Sequence, residues 1–269
     1  MVADVLTETV DQITNPYQQA SGLLGPSKLS TYLRCPRSYR YQYEDRIKTS
    51  SSPAAALGTT VHSVVKHIHL AKWGPEHADA AAELLLELWR DVRECTSDPA
   101  NPDTAESAQK AALDWLPWYL NWQQRQVTVA IEERWELTVP HTFLTLTGTI
   151  DRVYRAEGKS VLSDVKTGKR TPPAADLATD LQLSLYTWAC NELGLSPDVI
   201  ELVMMRMKST VATTRSAEYL DAVIYDTVIP AAAGIAAGIF PANPSSKYGC
   251  GYCDYQSLCP VGRGSQGAN

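Results

Sequence analysis

Several features that would place the chain in a class at once are missing from this sequence. No uninterrupted apolar run approaches the roughly 18 residues of a membrane span, and the polar N-terminus lacks the basic and then apolar order of a signal peptide. A cytoplasmic protein that engages no membrane is expected. Positive charge is in deficit, with 24 Lys and Arg against 30 Asp and Glu and a formal net charge of -6. That balance argues against a generally basic surface that coats nucleic acid, while a local basic path stays open. There is no internal repeat and no GxxxxGK[ST] phosphate loop, which argues against an ATP-driven motor within this chain. Six cysteines in a reducing compartment are poor disulfide candidates, and clustered ones read better as metal ligands.

What is present suffices for a substantial core: 269 residues, 44% of them hydrophobic. Residues 1–26 lack a sustained apolar period and are expected as a flexible arm, 27–260 as a single domain and 261–269 as a tail. The charge is uneven. Lys28, Arg34, Arg37, Arg40, Arg46 and Lys48 face only Glu44 and Asp45, whereas the stretch from Glu76 to Glu106 is strongly acidic. The first region suits phosphates and the second suits solvent.

Ser27 reads as an N-cap, opening a short helix to about Arg34. A second helix runs from Pro36 toward Arg46, and a third covers "PAAALGTTVHSVVKHIHLAKW". Two acidic or amphipathic helices follow near 76–95 and 104–126. Alternating, β-branched stretches then predict strands at "VTVAIEERWELTVP", "TFLTLTGTIDRVYR" and "SVLSDVKTG". A helix over about 174–193, a strand "VIELVMMRMK" and an Ala-rich helix before Pro241 complete a mixed α/β order.

The hairpin between the second and third strands carries the chemistry. A two-residue turn at Glu157 and Gly158 fixes the register, because Gly accepts positive φ cheaply. Counting back along both strands sets Asp151 opposite Asp164, with Cβ atoms about 5 Å apart. Alternation puts Lys166 on the face of Asp164. Facing aspartates repel unless a cation or a shared proton relieves them, and hard divalent cations favour oxygen sites of this kind. A solvated hairpin with an Asp–Lys salt bridge is the competing reading. Gln182 and Tyr186, four apart, share one helical face. His62 sits in a mostly apolar helix, as a packed or capping residue or as a ligand. Cys250, Cys253 and Cys259 crowd the C-terminal end, and three thiolates leave a tetrahedral zinc or iron–sulfur site one ligand short.

Taken in order, these residues resemble the RecB-like nucleases of the PD-(D/E)xK superfamily, especially the iron–sulfur subgroup that includes CRISPR-associated RecB-like exonucleases and the AddB nuclease domain. The resemblance rests on "LSTYLRCPRSYRYQY", "GTTVH", "GTID", "DVK", "QLSLY" and "CGYCDYQSLC". It implies a restriction-endonuclease-like core, a small mixed sheet flanked by helices, behind a helical N-terminal part. By the same resemblance, His62, Asp151, Asp164 and the Val165 carbonyl bind Mg²⁺ or Mn²⁺. Lys166 activates or positions water, and Gln182 and Tyr186 position DNA. The missing ligand becomes Cys35, which with Cys250, Cys253 and Cys259 would hold a [4Fe–4S] cluster joining residues 27–50 to 241–260. Cys95 and Cys190 match no motif and read as small packed apolar residues.

The implied activity is that of a metal-dependent DNA exonuclease on single strands or duplex ends, in recombination, repair or CRISPR adaptation. Arg34, Arg37, Arg40, Lys169 and Arg170 are the candidate phosphate contacts. Candidate partners besides DNA are a helicase, a recombinase or CRISPR integration proteins, and a homo-oligomer is compatible. Two rival readings remain: a catalytically idle DNA-binding subunit with a structural cluster, and a zinc protein, since four cysteines suit Zn²⁺ equally on ligand type.

Overall fold

A computed structural model gives the architecture, and the residues it describes are 21–49, 53–94, 102–245 and 249–264. The fold is mixed α/β: a six-stranded mixed sheet with flanking helices. Its strands are β1 (Ser21–Leu24), β2 (Val127–Thr138), β3 (Phe143–Ala156), β4 (Lys159–Lys166), β5 (Val199–Met204) and β6 (Ser209–Thr213). They run in the order β1-β3-β4-β5-β6, with β2 also pairing β3. The chain divides into two compact units. Among the described residues, the first holds 21–49, 135–148 and 216–264, and the second holds 53–134 and 149–215.

In the second unit the β3–β4 register runs from Ala156 against Lys159 to Arg152 against Ser163. This is the pairing that the two-residue turn predicts. Both turn residues are left-handed, Glu157 at φ 51° and Gly158 at φ 78°, the geometry that matches the twist of the flanking strands. β4 pairs β5 in parallel and β5 pairs β6 antiparallel. The expected single strand through Lys208 is therefore broken. It ends at Met204, and Lys208, at φ 49°, turns the chain back into β6. The expected helix over 174–193 is likewise two, α7 (Ala174–Ala178) and α8 (Leu181–Glu192). The break comes at Asp180, whose carboxylate accepts the Leu183 N–H at 2.9 Å and starts a new helix.

Helices α3 (Pro53–Leu70), α4 (Ala78–Glu94), α5 (Pro102–Lys110) and α6 (Leu116–Trp122) supply the core of this unit. Leu57, Val61, Val64, Ile68, Leu85, Trp115, Leu116 and Tyr119 pack there against Val165 and Val203 of the sheet. Val165 thus faces the helical core, and its neighbours Asp164 and Lys166 take the opposite pleat.

In the first unit, β1 pairs in parallel with Phe143–Leu146 of β3. The expected arm is therefore shorter than its predicted boundary, since Ser21–Leu24 forms a strand; residues 1–20 lie outside the described residues. Ser27 is not the cap of α1 (Pro26–Arg34). Gly25 takes that place without a side-chain bond, and Pro26 supplies the preset φ of a first turn. Helix α2 (Pro36–Tyr39) continues through Arg40–Glu44 with wider turns. The later helix, Ala217–Ala236, is long and apolar enough by length and composition to cross a membrane, with mean hydropathy 1.2. In this fold it turns Leu220, Ile224, Val228, Ile229 and Ala232 into the interior.

Gly148 of the "GTID" motif is needed for a close approach, not for its φ. A Cβ there would lie 2.8 Å from the Trp135 ring, which is 3% exposed. Replacing Gly148 with Ala is expected to cost about 1–3 kcal/mol through overpacking. The lowered urea midpoint should appear with the denaturant slope unchanged.

Candidate metal centre

Four elements of the second unit converge on one cluster of polar side chains. α3 brings His62, β2 brings Glu132, β3 brings Asp151, and β4 brings Asp164 and Lys166. Asp151 lies one residue beyond the Arg152–Ser163 pair, the last of the β3–β4 ladder, so the turn arithmetic sets it opposite Asp164. Its Oδ2 accepts the Val165 N–H at 2.9 Å and lies 3.3 Å from His62 Nδ1. Glu132 Oε1 lies 3.9 Å from the same nitrogen. One ligand atom from each of His62, Glu132 and Asp151 falls within 4.8 Å of the others. One imidazole nitrogen and two carboxylate oxygens form a donor set that suits a hard divalent cation.

Asp164 stands outside that group of three. Its side chain is almost fully buried, and its Oδ2 lies 2.7 Å from Lys166 Nζ. The ammonium also donates to Gln182 Oε1 at 3.1 Å, and Gln182 Nε2 donates to the Tyr186 hydroxyl at 2.9 Å. The predicted one-face pair on α8 thus meets the lysine of the "DVK" motif. Val165 contributes its amide to Asp151, and Val165 and Asp164 are held by the parallel pairing of β4 with β5.

Glu132 was not anticipated from the sequence. "VTVAIEERWELT" alternates with apolar residues at odd positions, broken only at Glu133, and so assigns Glu132 to the polar face. In the structure Glu132 has φ 48°, a left-handed residue within a strand. Before it the exposed residues are the odd-numbered Val127 and Val129; beyond it come Glu133 and then the even-numbered Arg134, Glu136 and Thr138. The phase of the strand therefore shifts by one residue there, as at a β-bulge, which re-aims side chains next to a site. The paired glutamates 132 and 133 were the only sequence signal.

The electrostatics follow from crowding. Burial first, and then the Asp164 charge, push the Asp151 carboxyl up to about 7; His62, the Val165 amide and Lys166 oppose the shift. Burial acts to lower the Lys166 pKa, yet the charges of Asp164, Asp151 and Asp180 outweigh it and raise the value. Lys166 is therefore held as an ammonium. Burial also pushes the Tyr186 phenol up to about 12, so it stays protonated.

Of the predicted phosphate contacts, Lys169 and Arg170 are exposed in the segment just past Lys166. The other three belong to the first unit. Arg34 is exposed, and Arg40 is exposed beside Asp45 at 3.4 Å. Arg37 donates its Nε to the Phe240 carbonyl at 2.8 Å, a bond that spends part of its fork on the fold.

The first unit also gathers the cysteines. Cys35, Cys250, Cys253 and Cys259 line one cavity of about 80 Å³ together with Arg34, Arg37 and Asn243. All four are free thiols. The Asn243 N–H donates to Cys35 Sγ at 3.4 Å. Contacts across more than two hundred residues hold this arrangement: Arg37 N–H to the Pro241 carbonyl at 3.0 Å, and the Tyr255 hydroxyl to the Ile47 carbonyl at 3.2 Å. Cys190 is buried as expected of a packed residue, and Cys95 lies outside the described residues.

The mixed sheet thus presents acidic side chains and a lysine beside a histidine, a group that could hold a metal ion. Residues 24–260 match the model of the PD-(D/E)XK nuclease superfamily, and the chain belongs to that superfamily. No curated protein matches it. Among solved structures it is similar to the crystal structure of SSO0001, at 14% identity and a TM-score of 0.39 over 96% of this chain and 93% of that one.

The raised Asp151 pKa has a stability consequence. A carboxyl that ionises with more difficulty in the folded state than in the unfolded chain stabilises the fold only while protonated. Its contribution is lost as pH rises from about 4, the unfolded value, to about 7. In metal-free buffer, Asp151→Asn is therefore expected to be more stable than wild type at pH 8 by about 1–3 kcal/mol, and by much less at pH 4.5. Urea titrations of both proteins at the two pH values check the widening gap.

Proposed function

We propose that the chain is a metal-dependent deoxyribonuclease that works as an exonuclease on single-stranded DNA or duplex ends, in cytoplasmic recombination, repair or CRISPR adaptation. The observation that carries this reading is the meeting of His62, Asp151, Asp164 and Lys166 in a chain of the PD-(D/E)XK superfamily. Asp151, His62 and Glu132 are the side chains that would hold Mg²⁺ or Mn²⁺, with Asp164 and the Val165 carbonyl beside them. When bound, the cation would supply Lewis acidity at the scissile phosphate and lower the pKa of water.

The remaining work falls to the chain's own groups. Asp151 releases its proton as it becomes a ligand, so cation affinity rises with pH through the neutral range. Lys166, kept charged by Asp164, donates to a phosphate oxygen or to the attacking water and stabilises charge that grows in the transition state. Gln182 fixes the ammonium through its carbonyl, and Tyr186 fixes Gln182, so α8 positions the lysine and faces the DNA. Exposed Lys169 and Arg170 extend the positive edge, and Arg34, Arg37 and Arg40 form a second basic stretch for phosphates.

Cys35, Cys250, Cys253 and Cys259 would hold a [4Fe–4S] cluster, a reading supported by four free thiols around one cavity beside basic side chains. The cluster's contribution there is structural, because it ties the first helices to the C-terminal segment and couples its binding energy to folding.

Asp151→Ala, Asp164→Ala and Lys166→Ala are each expected to abolish Mg²⁺- or Mn²⁺-dependent digestion of end-labelled DNA, with folding and DNA binding retained. Wild-type digestion by purified Lys166→Ala would defeat the assignment. Binding should weaken steeply with salt as counterions are released, and Arg37→Glu combined with Arg40→Glu should flatten that slope. Anaerobically purified protein should be brown, and Cys35→Ser should lose as much iron as Cys253→Ser. A colourless protein that takes up one zinc would replace the cluster with a zinc site.

A further inference from the structure

The first unit leaves one aromatic ring in solvent. Tyr252 is 87% exposed, more than any other large apolar side chain among the described residues, with Phe143 next at 71%. It closes the short turn Cys250–Tyr252, which Gly249 opens at φ 57° and the Cys253 N–H secures by donating to the Cys250 carbonyl at 3.1 Å. Cys250 and Cys253 line the cysteine cavity, and the ring between them stands at its mouth. Among the described residues no other ring and no hydrogen-bond partner engages Tyr252.

A single exposed ring is ordinary on a protein surface; the charge around this one is not. The same cavity is lined by Arg34 and Arg37, from the junction of α1 and α2. Arg34 is exposed, and its side chain takes no partner among the described residues, while its carbonyl accepts from Asn243 Nδ2 at 3.1 Å and fixes the helix end beside the cavity. Arg37 commits only its Nε, to the Phe240 carbonyl at 2.8 Å, which among the described residues leaves both terminal nitrogens of its fork for a ligand. Gln42 and Gln256 add side-chain amides to the lining. Asp254 is its one carboxylate, exposed and paired with neither arginine.

Unpaired guanidiniums suit phosphate oxygens, which a planar fork takes two at a time. A free tyrosine face suits a nucleobase, because every base presents a π-face to stack on. The bases of a duplex are already stacked on one another, so a ring that stands clear of the surface meets a base only where the strand is single. Thiolate charge accounts for a guanidinium inside the cavity. It accounts neither for the exposed Arg34 nor for an aromatic ring kept in water.

We propose that this surface binds single-stranded DNA, with Tyr252 stacking on one base and Arg34 and Arg37 holding the adjacent phosphates. The inference rests on the nuclease reading and narrows its substrate to unpaired strand.

Fluorescence anisotropy of the anaerobically purified full chain, with no divalent cation added so that no strand is cut, tests it with a labelled oligothymidylate and an abasic oligomer of equal length and charge. Wild type is expected to bind the thymidylate at least fivefold tighter, the low end of what stacking one base contributes. Tyr252→Ala should bind both oligomers alike, at the abasic level, and Tyr252→Phe should keep the preference. Arg34→Glu should weaken both at least fivefold and leave their ratio as it is. Annealing the thymidylate to its complement should abolish the dependence on Tyr252. Equal binding of the two oligomers by wild type, a preference that survives in Tyr252→Ala, wild-type affinity in Arg34→Glu, a Tyr252 effect as large on the duplex as on the single strand, or no binding of either oligomer would overturn the platform. If the preference and its loss in Tyr252→Ala are found while wild type digests no DNA with Mg²⁺ or Mn²⁺, the platform stands and the nuclease reading falls. Digestion by a protein that binds both oligomers alike leaves the nuclease reading standing and removes the platform.

Discussion

The Glu157–Gly158 turn is the constraint on which the centre depends. Two consecutive left-handed residues close the β3–β4 hairpin with no slack, so every pair behind them is determined, down to Arg152 against Ser163. A slip of one residue would send the Asp164 and Lys166 side chains into the helical core and bring Val165 to the cluster. With the register set, two carboxylates are forced into a poorly solvated space, and the rest of the site follows from relieving that repulsion. Asp151 retains a proton or takes a cation, Lys166 closes on Asp164, and the capping of α8 at Asp180 brings Gln182 to steady the lysine.

Much of this was legible in the sequence, because it depends on short-range rules. Turn chemistry and alternation specified the hairpin, and a spacing of four put Gln182 beside Tyr186. Local rules failed where the backbone departs from its period. Glu132 sits in a left-handed kink that the alternating pattern conceals, and Lys208 turns a continuous-looking strand into β5 and β6. β1 escaped notice because its four residues acquire strand geometry only by pairing with Phe143–Leu146, a contact over a hundred residues away. The meeting of Cys35 with Cys250, Cys253 and Cys259 has the same long-range origin, and family resemblance rather than spacing anticipated it.

β3 also shows how one strand carries two opposed charges. Asp151 and Arg152 are adjacent, and alternation sends the carboxylate toward His62 and the guanidinium toward Thr128 and Gln126. Neither is solvated well enough to be indifferent to its surroundings. Apolar packing of α3–α6, with Trp115, Leu116 and Tyr119 fully buried, supplies the stability that tolerates both.

The division of the chain bears on the order in which it is synthesised. All of the second unit lies within residues 50–215, so its sheet and helices have every partner once Arg215 has cleared the ribosome. Among the described residues, the first unit draws on 21–49, on the middle of the β2–β3 hairpin and on 216–264. Helices α1 and α2 must therefore wait, with apolar faces uncovered, while most of the polypeptide is translated. The packing of α1 and α2 is thus the last to be completed, since it waits for the distal cysteine segment to be made.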